Sequence, residues 1–295
     1  MTQGSSTAVV MPRFGRLRRF PYIHQIADAC ESALNQNRLL FPGQKTRGTH
    51  LARVTPPVGS HLLELRAAGG QKIAALFGRA MDAEGSPITG EAPTLLFFYG
   101  NEMCLRQALI PVQFLRQLGF NVLVPEYLGY GLSEGRASES GCYATADAAY
   151  DYVHARDDIN PATIGVLGCS LGGAVAIDLA ARRPVSRLAT LVTFTSIADM
   201  VRLSYPRLPV SWVLRYRFES ERKMKRVKCP VLIGHSLQDR RIPYEMADRL
   251  AAAAAGPVER LRITGADHSS TELLEIAGEQ IGAALTAFFG ILPAA

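Results

Sequence analysis

The chain has 295 residues, 48% of them hydrophobic and 20% charged, with a formal net charge of +6 at neutral pH. That length and apolar share suffice to bury one substantial core, and no apolar run approaches the length of a membrane span. The five cysteines, at 30, 104, 142, 169 and 229, are odd in number and lack C-x-x-C spacing, which argues against a disulfide framework or a zinc site and for reduced thiols in a cytoplasmic protein.

In chain order, residues 1–11 are small and polar with one short apolar stretch, and the basic segment Pro12–Arg19 follows. Basic after apolar is the reverse of a secretory signal, so this stretch reads as an N-terminal arm. Ile23–Leu40 has a helical pattern leading into the core, so residues 1–50 are expected to form an arm and helix and 51–295 the main domain. His61–Arg66 and Gln71–Arg79 suggest an antiparallel pair joined by Ala68-Gly69-Gly70, and Asp82–Pro93 is a loop rich in turn residues. Strand patterns near 94–99, 121–126, 163–168, 189–195, 230–235 and 258–263 then alternate with helical segments. Such alternation predicts an α/β fold with a mostly parallel central sheet and helices on both faces. In the last helix, Ser269 and Glu272 have capping-box spacing, and Leu274, Ile281, Leu285 and Phe288 form its apolar stripe.

Gly168-Cys169-Ser170-Leu171-Gly172-Gly173 carries the chemistry. A buried-strand run precedes it and a helix pattern, Leu171–Arg183, follows up to Pro184, so Ser170 is placed on a sharp strand-to-helix turn. A serine hydroxyl is a poor nucleophile at neutral pH and needs a general base and a group that orients that base. After the strand pattern at 230–235, Ser-Leu-Gln-Asp places Asp239 in a loop. After the pattern at 258–264, Gly-Ala-Asp-His places His268 in the next one. Of the other histidines, His24, His50 and His61 lie upstream, His154 falls on an amphipathic helix, and His235 ends a strand and shapes the turn that presents Asp239. Asp267 adjoins His268 in sequence and would have difficulty folding back onto its ring; Glu245 is a more distant candidate. Cys169 reads as a small packing residue beside the serine.

The oxyanion of an acyl transfer would be held by backbone amides, here those of Asn101, in the turn after the strand 94–99, and Leu171, directly after the serine. Gly100-Asn101-Glu102-Met103 is read as opening the next helix, with Glu102 in its first turn pointing to solvent, where it favours the helix dipole.

Taken together, Leu-Leu-Phe-Pro at 39–42, Phe-Tyr-Gly-Asn at 98–101, Glu-Tyr-Leu-Gly-Tyr-Gly-Leu-Ser-Glu-Gly at 126–135, the serine motif, Cys-Pro-Val-Leu-Ile-Gly-His with Asp239, and Gly-Ala-Asp-His make the chain resemble a serine hydrolase of the α/β-hydrolase fold. Within that fold it is similar to the Bem46-like group, which is related to the serine aminopeptidase and monoglyceride lipase branches. One departure stands out: the family usually has His-Gly-Asn where this chain has Tyr99-Gly100-Asn101. The resemblance implies catalysis by Ser170, His268 and Asp239 with no metal or organic cofactor, acting on small-molecule carboxylic esters of small to medium acyl chain. Amide or peptide hydrolysis, and a slow-turnover ligand-binding homologue, are the alternatives.

The segment 196–228 mixes aromatics with charge and could form a small helical cap over Ser170 or pack as a helix and loop on the core edge. Tyr205 and Trp212, with Tyr99, are the expected pocket residues. Arg215, Arg217, Arg222, Lys223, Lys225, Arg226 and Lys228 make the segment basic, which suits an anionic surface or substrate, or simply solvated helix faces. No nucleic-acid motif accompanies the charge, and the oligomeric state is open.

Overall fold

The computed structural model describes residues 36–206 and 214–291. A short helix α1 (Gln36–Leu40) and two 3-10 turns lead to strands β1 (Ser60–Arg66) and β2 (Lys72–Gly78). There follow β3 (Thr94–Phe98), α2 (Leu105–Gln117), β4 (Asn121–Pro125), α3 (Glu139–His154), β5 (Ile164–Cys169), α4 (Leu171–Ala180) and β6 (Leu188–Leu191). The order continues with α5 (Ile197–Ser204), α6 (Ser220–Met224), β7 (Val231–Ser236), α7 (Glu245–Ala253), β8 (Val258–Ile263) and α8 (Ser270–Phe289).

The eight strands form one sheet in the order β1-β2-β4-β3-β5-β6-β7-β8. β1–β2 and β2–β4 pair antiparallel, and the remaining neighbours pair parallel. β3, β4 and β5 are buried at every position, as strands covered on both faces must be. Side chains alternate across β5. Leu167 and Cys169 face α2 and α8, and Gly165 lies against Phe289 of α8. Gly168 instead faces the start of α4. On that second face Arg182, just after α4, pairs with Asp147 of α3, and Asp178 of α4 pairs with Lys223 of α6. Chain order reverses at β3, which has β4 on one side and β5 on the other. Loops leaving the carboxyl ends of β3 and β5 therefore diverge around a crevice, the usual place for a ligand in an open α/β sheet.

Three expectations are corrected. β6 ends at Leu191, not near 195, because Val192 takes a left-handed φ of 45° that no strand continues. α2 begins at Leu105 with Cys104 as its N-cap, so residues 100–103 are a turn and not the opening of the helix. The apolar stripe of α8 runs through Leu273, Ala277, Ile281, Leu285 and Phe288, with Leu274 only partly buried at its side.

Two close backbone approaches fix the β5–α4 turn. A Cβ on Gly168 would lie 2.2 Å from the Gly172 carbonyl oxygen, and one on Gly172 would lie 1.9 Å from the carbonyl oxygen of Phe98. Backbone cannot retreat as a flexible side chain can. Gly172→Ala is therefore expected to lower stability by about 2–3 kcal/mol, read from the urea midpoint at unchanged m-value; a wild-type midpoint would contradict the packing described.

Candidate active site at the carboxyl edge of the sheet

Ser170 sits at φ 53° and ψ −118°, a conformation that a residue with a side chain rarely adopts. Its amide donates to Leu191 O at 2.9 Å, and its carbonyl accepts from Gly173 N at 3.0 Å, so the turn is pinned on both sides. The hydroxyl lies 2.9 Å from His268 Nε2, and His268 Nδ1 lies 2.8 Å from Asp239 Oδ2. A carboxylate can only accept, so Nδ1 carries the proton and donates it to Asp239. That leaves Nε2 as the acceptor for the Ser170 hydroxyl.

Asp239 has a fully buried side chain with both oxygens satisfied. Oδ1 accepts from the amides of Arg241 and Ile242 at 2.9 and 2.8 Å, and Oδ2 faces the imidazole of His268. Burial opposes ionisation of this carboxyl, but hydrogen bonds from His235, His268 and the Ile242 amide prevail and hold it well below the ordinary carboxylate range. His235 Nε2 donates to Ile242 O at 2.9 Å and stands 3.4 Å from Asp239, closing the turn as its sequence position suggested. Asp267 faces the other way. It accepts from the amides of His268 and Arg240 and pairs with the Arg240 guanidinium, bracing the histidine loop. Glu245 is exposed on α7. Ser269 caps α8 by accepting from Glu272 N at 3.3 Å, but the Glu272 carboxylate reaches Asp267 N instead of completing a capping box.

A cleft of about 200 Å³ opens over Ser170, lined by Gly100, Asn101, Met103 and Gln107 on one side and by His268 and Ser269 on the other. Asn101 is anchored through its side chain to Leu40 O, and its carbonyl accepts from Gly43 N and the Tyr130 hydroxyl. Leu171 is the first residue of α4, where amides have no intrahelical acceptor. Cys169 is buried. Burial, reinforced by the charge of Asp239, pushes its thiol up to about 12 and so keeps it protonated.

Tyr99 does not line the cleft. It is fully buried, stacks edge-on against Tyr127, and donates to Glu126 Oε1 at 2.7 Å. The same oxygen accepts from Leu105 N at 2.8 Å, so one carboxylate ties together the two ends of the turn 100–104. Burial raises the pKa of Glu126, and hydrogen bonds from Tyr99, Leu105 and Leu132 pull it partly back. Tyr205 is half-buried at the end of α5 and is not among the residues around the cleft; Trp212 lies outside the described residues. The described parts of 196–228 pack on the body of the fold: Lys223 pairs with Asp178, and the amides of Arg217 and Phe218 donate to Glu139, while Arg222 pairs with Glu219 inside the segment itself. None of them lines the cleft.

Sequence reasoning missed two features. Glu126 was legible only as an acid ending an apolar strand before a glycine-rich turn. Arg241 forms an exposed ion pair with Glu102 at 2.9 Å, linking the turns after β3 and β7 at the rim of the cleft. Glu102 thus lies outside α2, ahead of the Cys104 N-cap, and points at an arginine 139 residues away. Among the described residues no group of three or more His, Cys, Asp or Glu could hold a metal ion, and no helix is long and apolar enough to cross a membrane.

A family model for the alpha/beta hydrolase fold matches residues 93–216. Alpha/beta hydrolase domain-containing protein 17B of Xenopus tropicalis is 30% identical over 209 residues, covering 70% of this chain and 69% of that protein. The chain belongs to the α/β-hydrolase family. An uncharacterised protein of Mycobacterium tuberculosis is 37% identical over 188 residues, or 63% of this chain, and the chain spans 66% of its length. The fold is also that of an esterase from Pyrococcus furiosus, with a TM-score of 0.62 at 17% identity over 80% of this chain and 98% of that one.

Removing the Tyr99 hydroxyl takes away one of the hydrogen bonds that lower the Glu126 pKa, so the already raised value should rise further in Tyr99→Phe. A folded pKa raised above the unfolded one costs stability at high pH, and that cost fades as pH falls and the group takes up its proton. Tyr99→Phe is therefore expected to be destabilised by about 1–3 kcal/mol above neutral pH, with the difference from wild type shrinking on acidification. Urea titrations at several pH values check this, and a difference that grows toward acid would contradict it.

Proposed function

We propose that this α/β hydrolase cleaves carboxylic esters of small to medium acyl chain through an acyl-serine intermediate. The observation that carries the reading is the series Ser170 Oγ, His268 Nε2, His268 Nδ1, Asp239 Oδ2, with contacts of 2.9 and 2.8 Å at a strained turn that opens into a cleft. Likeness in fold to the Pyrococcus furiosus esterase supports it.

In the first half-reaction Ser170 Oγ attacks the ester carbonyl carbon while His268 Nε2 takes its proton. The oxyanion that forms is stabilised by the amides of Asn101 and Leu171, where loss of one donor would cost about 3 kcal/mol of transition-state energy. The carbonyl–alkoxy bond then breaks, and the imidazolium returns its proton to the departing alcohol. In the second half-reaction water attacks the acyl-serine with His268 again as base. The acid leaves and Ser170 recovers its proton. Asp239 keeps its charge throughout, holding the imidazole in the productive tautomer and stabilising its protonated form. A cleft of about 200 Å³ suits a small substrate.

Steady-state hydrolysis of p-nitrophenyl esters from acetate to laurate tests the proposal. Ser170→Ala and His268→Ala are expected to lower kcat by about four orders of magnitude or more while the protein stays folded, and Asp239→Asn to lower it by about 10⁴. Absence of turnover by folded wild type would sink the ester reading. A burst of one equivalent without turnover would indicate a ligand-binding homologue, and near-normal activity of Asp239→Asn would mean that another acid orients His268.

A further inference from the structure

Glu126–Gly135 is the longest of the sequence motifs, yet none of its residues belongs to the series Ser170, His268, Asp239. It leaves β4 as a tight turn: Tyr130 N donates to Tyr127 O at 2.9 Å, and Gly129 and Gly131 sit at φ 83° and 36°. That turn sets the rings of Tyr127 and Tyr130 edge-on with centroids 5.6 Å apart, and both are fully buried. A buried phenol needs an acceptor, and these two find theirs on one short segment. Tyr127 donates to Tyr99 O and Tyr130 to Asn101 O, each at 2.9 Å. Between those carbonyls lies the peptide unit that joins Gly100 to Asn101, whose N–H is an oxyanion donor in the proposed mechanism. Gly100 O accepts from Met103 N at 3.3 Å, so three successive carbonyls are held. Among the described residues the Asn101 amide itself has no acceptor, and a Cβ on Gly100 would lie 3.7 Å from Ser170 Cβ, so the unit stands over the nucleophile. Gly43 closes the arrangement from the other side: its amide donates to Asn101 O at 3.1 Å, and a Cβ there would stand 2.2 Å from the Tyr130 ring.

We infer that Tyr127 and Tyr130 are positioning residues for the oxyanion amide: they fix the peptide planes on either side of it, so that the Asn101 N–H faces the developing charge before substrate arrives. The inference rests on the ester-hydrolase reading and assigns a role in it to residues outside the triad. A peptide unit tethered only through its own chain can turn about ψ of Gly100 and φ of Asn101, and glycine resists such rotation least. Holding the carbonyls on both sides restrains these rotations and leaves the N–H free for substrate. Donors aimed in advance need no reorganisation at the moment of reaction, and a small misplacement of such a group slows the reaction severely. Burial raises both phenols well above their ordinary range, so they remain protonated donors. The amide acts on charge that develops only in the transition state, so loss of its positioning lowers kcat and leaves KM nearly unchanged.

The test compares kcat and KM on p-nitrophenyl acetate and butyrate, together with the affinity of trifluoroacetophenone, for wild type, Tyr127→Phe, Tyr130→Phe and Tyr150→Phe. Ser170 Oγ adds to the carbonyl carbon of the ketone, its proton passes to His268 Nε2, and the ketone oxygen becomes an anion where the oxyanion would lie. Tyr127→Phe and Tyr130→Phe are each expected to lower kcat about tenfold or more, with KM unchanged, and to weaken the ketone by the factor lost from kcat/KM. Tyr150 is the control: it does not line the cleft, and its hydroxyl donates to Pro184 O at 2.8 Å, so Tyr150→Phe loses a comparable hydrogen bond and keeps the wild-type kcat. The assignment is overturned if folded Tyr127→Phe and Tyr130→Phe keep the wild-type kcat, if their loss falls on KM, or if Tyr150→Phe slows the reaction equally. Each variant keeps its ring and so the packing of the core; should one not fold, the other decides alone. Ser170-dependent turnover with kcat unaffected in both variants removes only the positioning role, whereas absence of turnover on every ester by folded wild type removes the ester-hydrolase reading and this inference with it.

Discussion

The left-handed turn at Ser170 is the constraint on which the rest of the structure depends. A serine at φ 53° is strained, and the strain persists because its surroundings leave the chain no alternative. The amide of Ser170 is taken by Leu191, the α4 backbone presses on Phe98 at Gly172, and Gly173 lies against the side chain of Thr193. Thr193 reaches that place because Val192, itself at φ 45°, turns the chain off β6 immediately after Leu191. Three neighbouring strands thus meet at one elbow, and the parallel order β3-β5-β6-β7-β8 brings their exit loops to the same edge of the sheet. Placing Asp239 and His268 beside the serine then requires only that the loops after β7 and β8 carry them.

Two buried carboxylates divide the work of holding this edge. Asp239 is held in its charged form by two backbone amides and two histidines, which outweigh the penalty of burial. Its permanent charge fixes the direction in which the His268 imidazole presents its nitrogens. Among the described residues Glu126 has no cationic partner, and burial pushes its pKa the other way. What it does have is a hydrogen bond at either end of the turn 100–104, from the Tyr99 hydroxyl and from Leu105 N. One carboxylate orients the His268 imidazole; the other fixes the turn that faces the serine.

Ser170, Asp239 and His268 were legible because each follows an apolar strand run in a short loop, and strand-to-loop order is written locally in the chain. Sheet composition was legible for the same reason, since near-continuous apolar runs belong to parallel strands covered on both faces. Position within the sheet was less so. Tyr99 looked like a pocket residue because it ends a strand pointing at the site, yet at that position its side chain turns into the interior, where its hydroxyl donates a hydrogen bond to Glu126. The Glu102–Arg241 pair joins turns that only the fold brings together. The end of β6 was misread because Val192 has high strand propensity, and tertiary packing against α4 overrides it. The basic residues of 196–228 left two readings open, an anion-binding surface or solvated helix faces; Lys223 proves to be mostly buried against Asp178 of α4, whereas Arg222 stays exposed and pairs with Glu219 of its own segment.

The central claim is that Ser170 is an activated nucleophile made so by His268 and Asp239. It is tested most directly by exposing the native protein to an alkyl fluorophosphonate and mapping the modified residue by mass spectrometry. The account predicts one adduct per chain, on Ser170, with fluoride displaced, and labelling slowed by orders of magnitude in His268→Ala. An adduct elsewhere, equal labelling of the histidine variant, or an unmodified Ser170 in folded protein would contradict it.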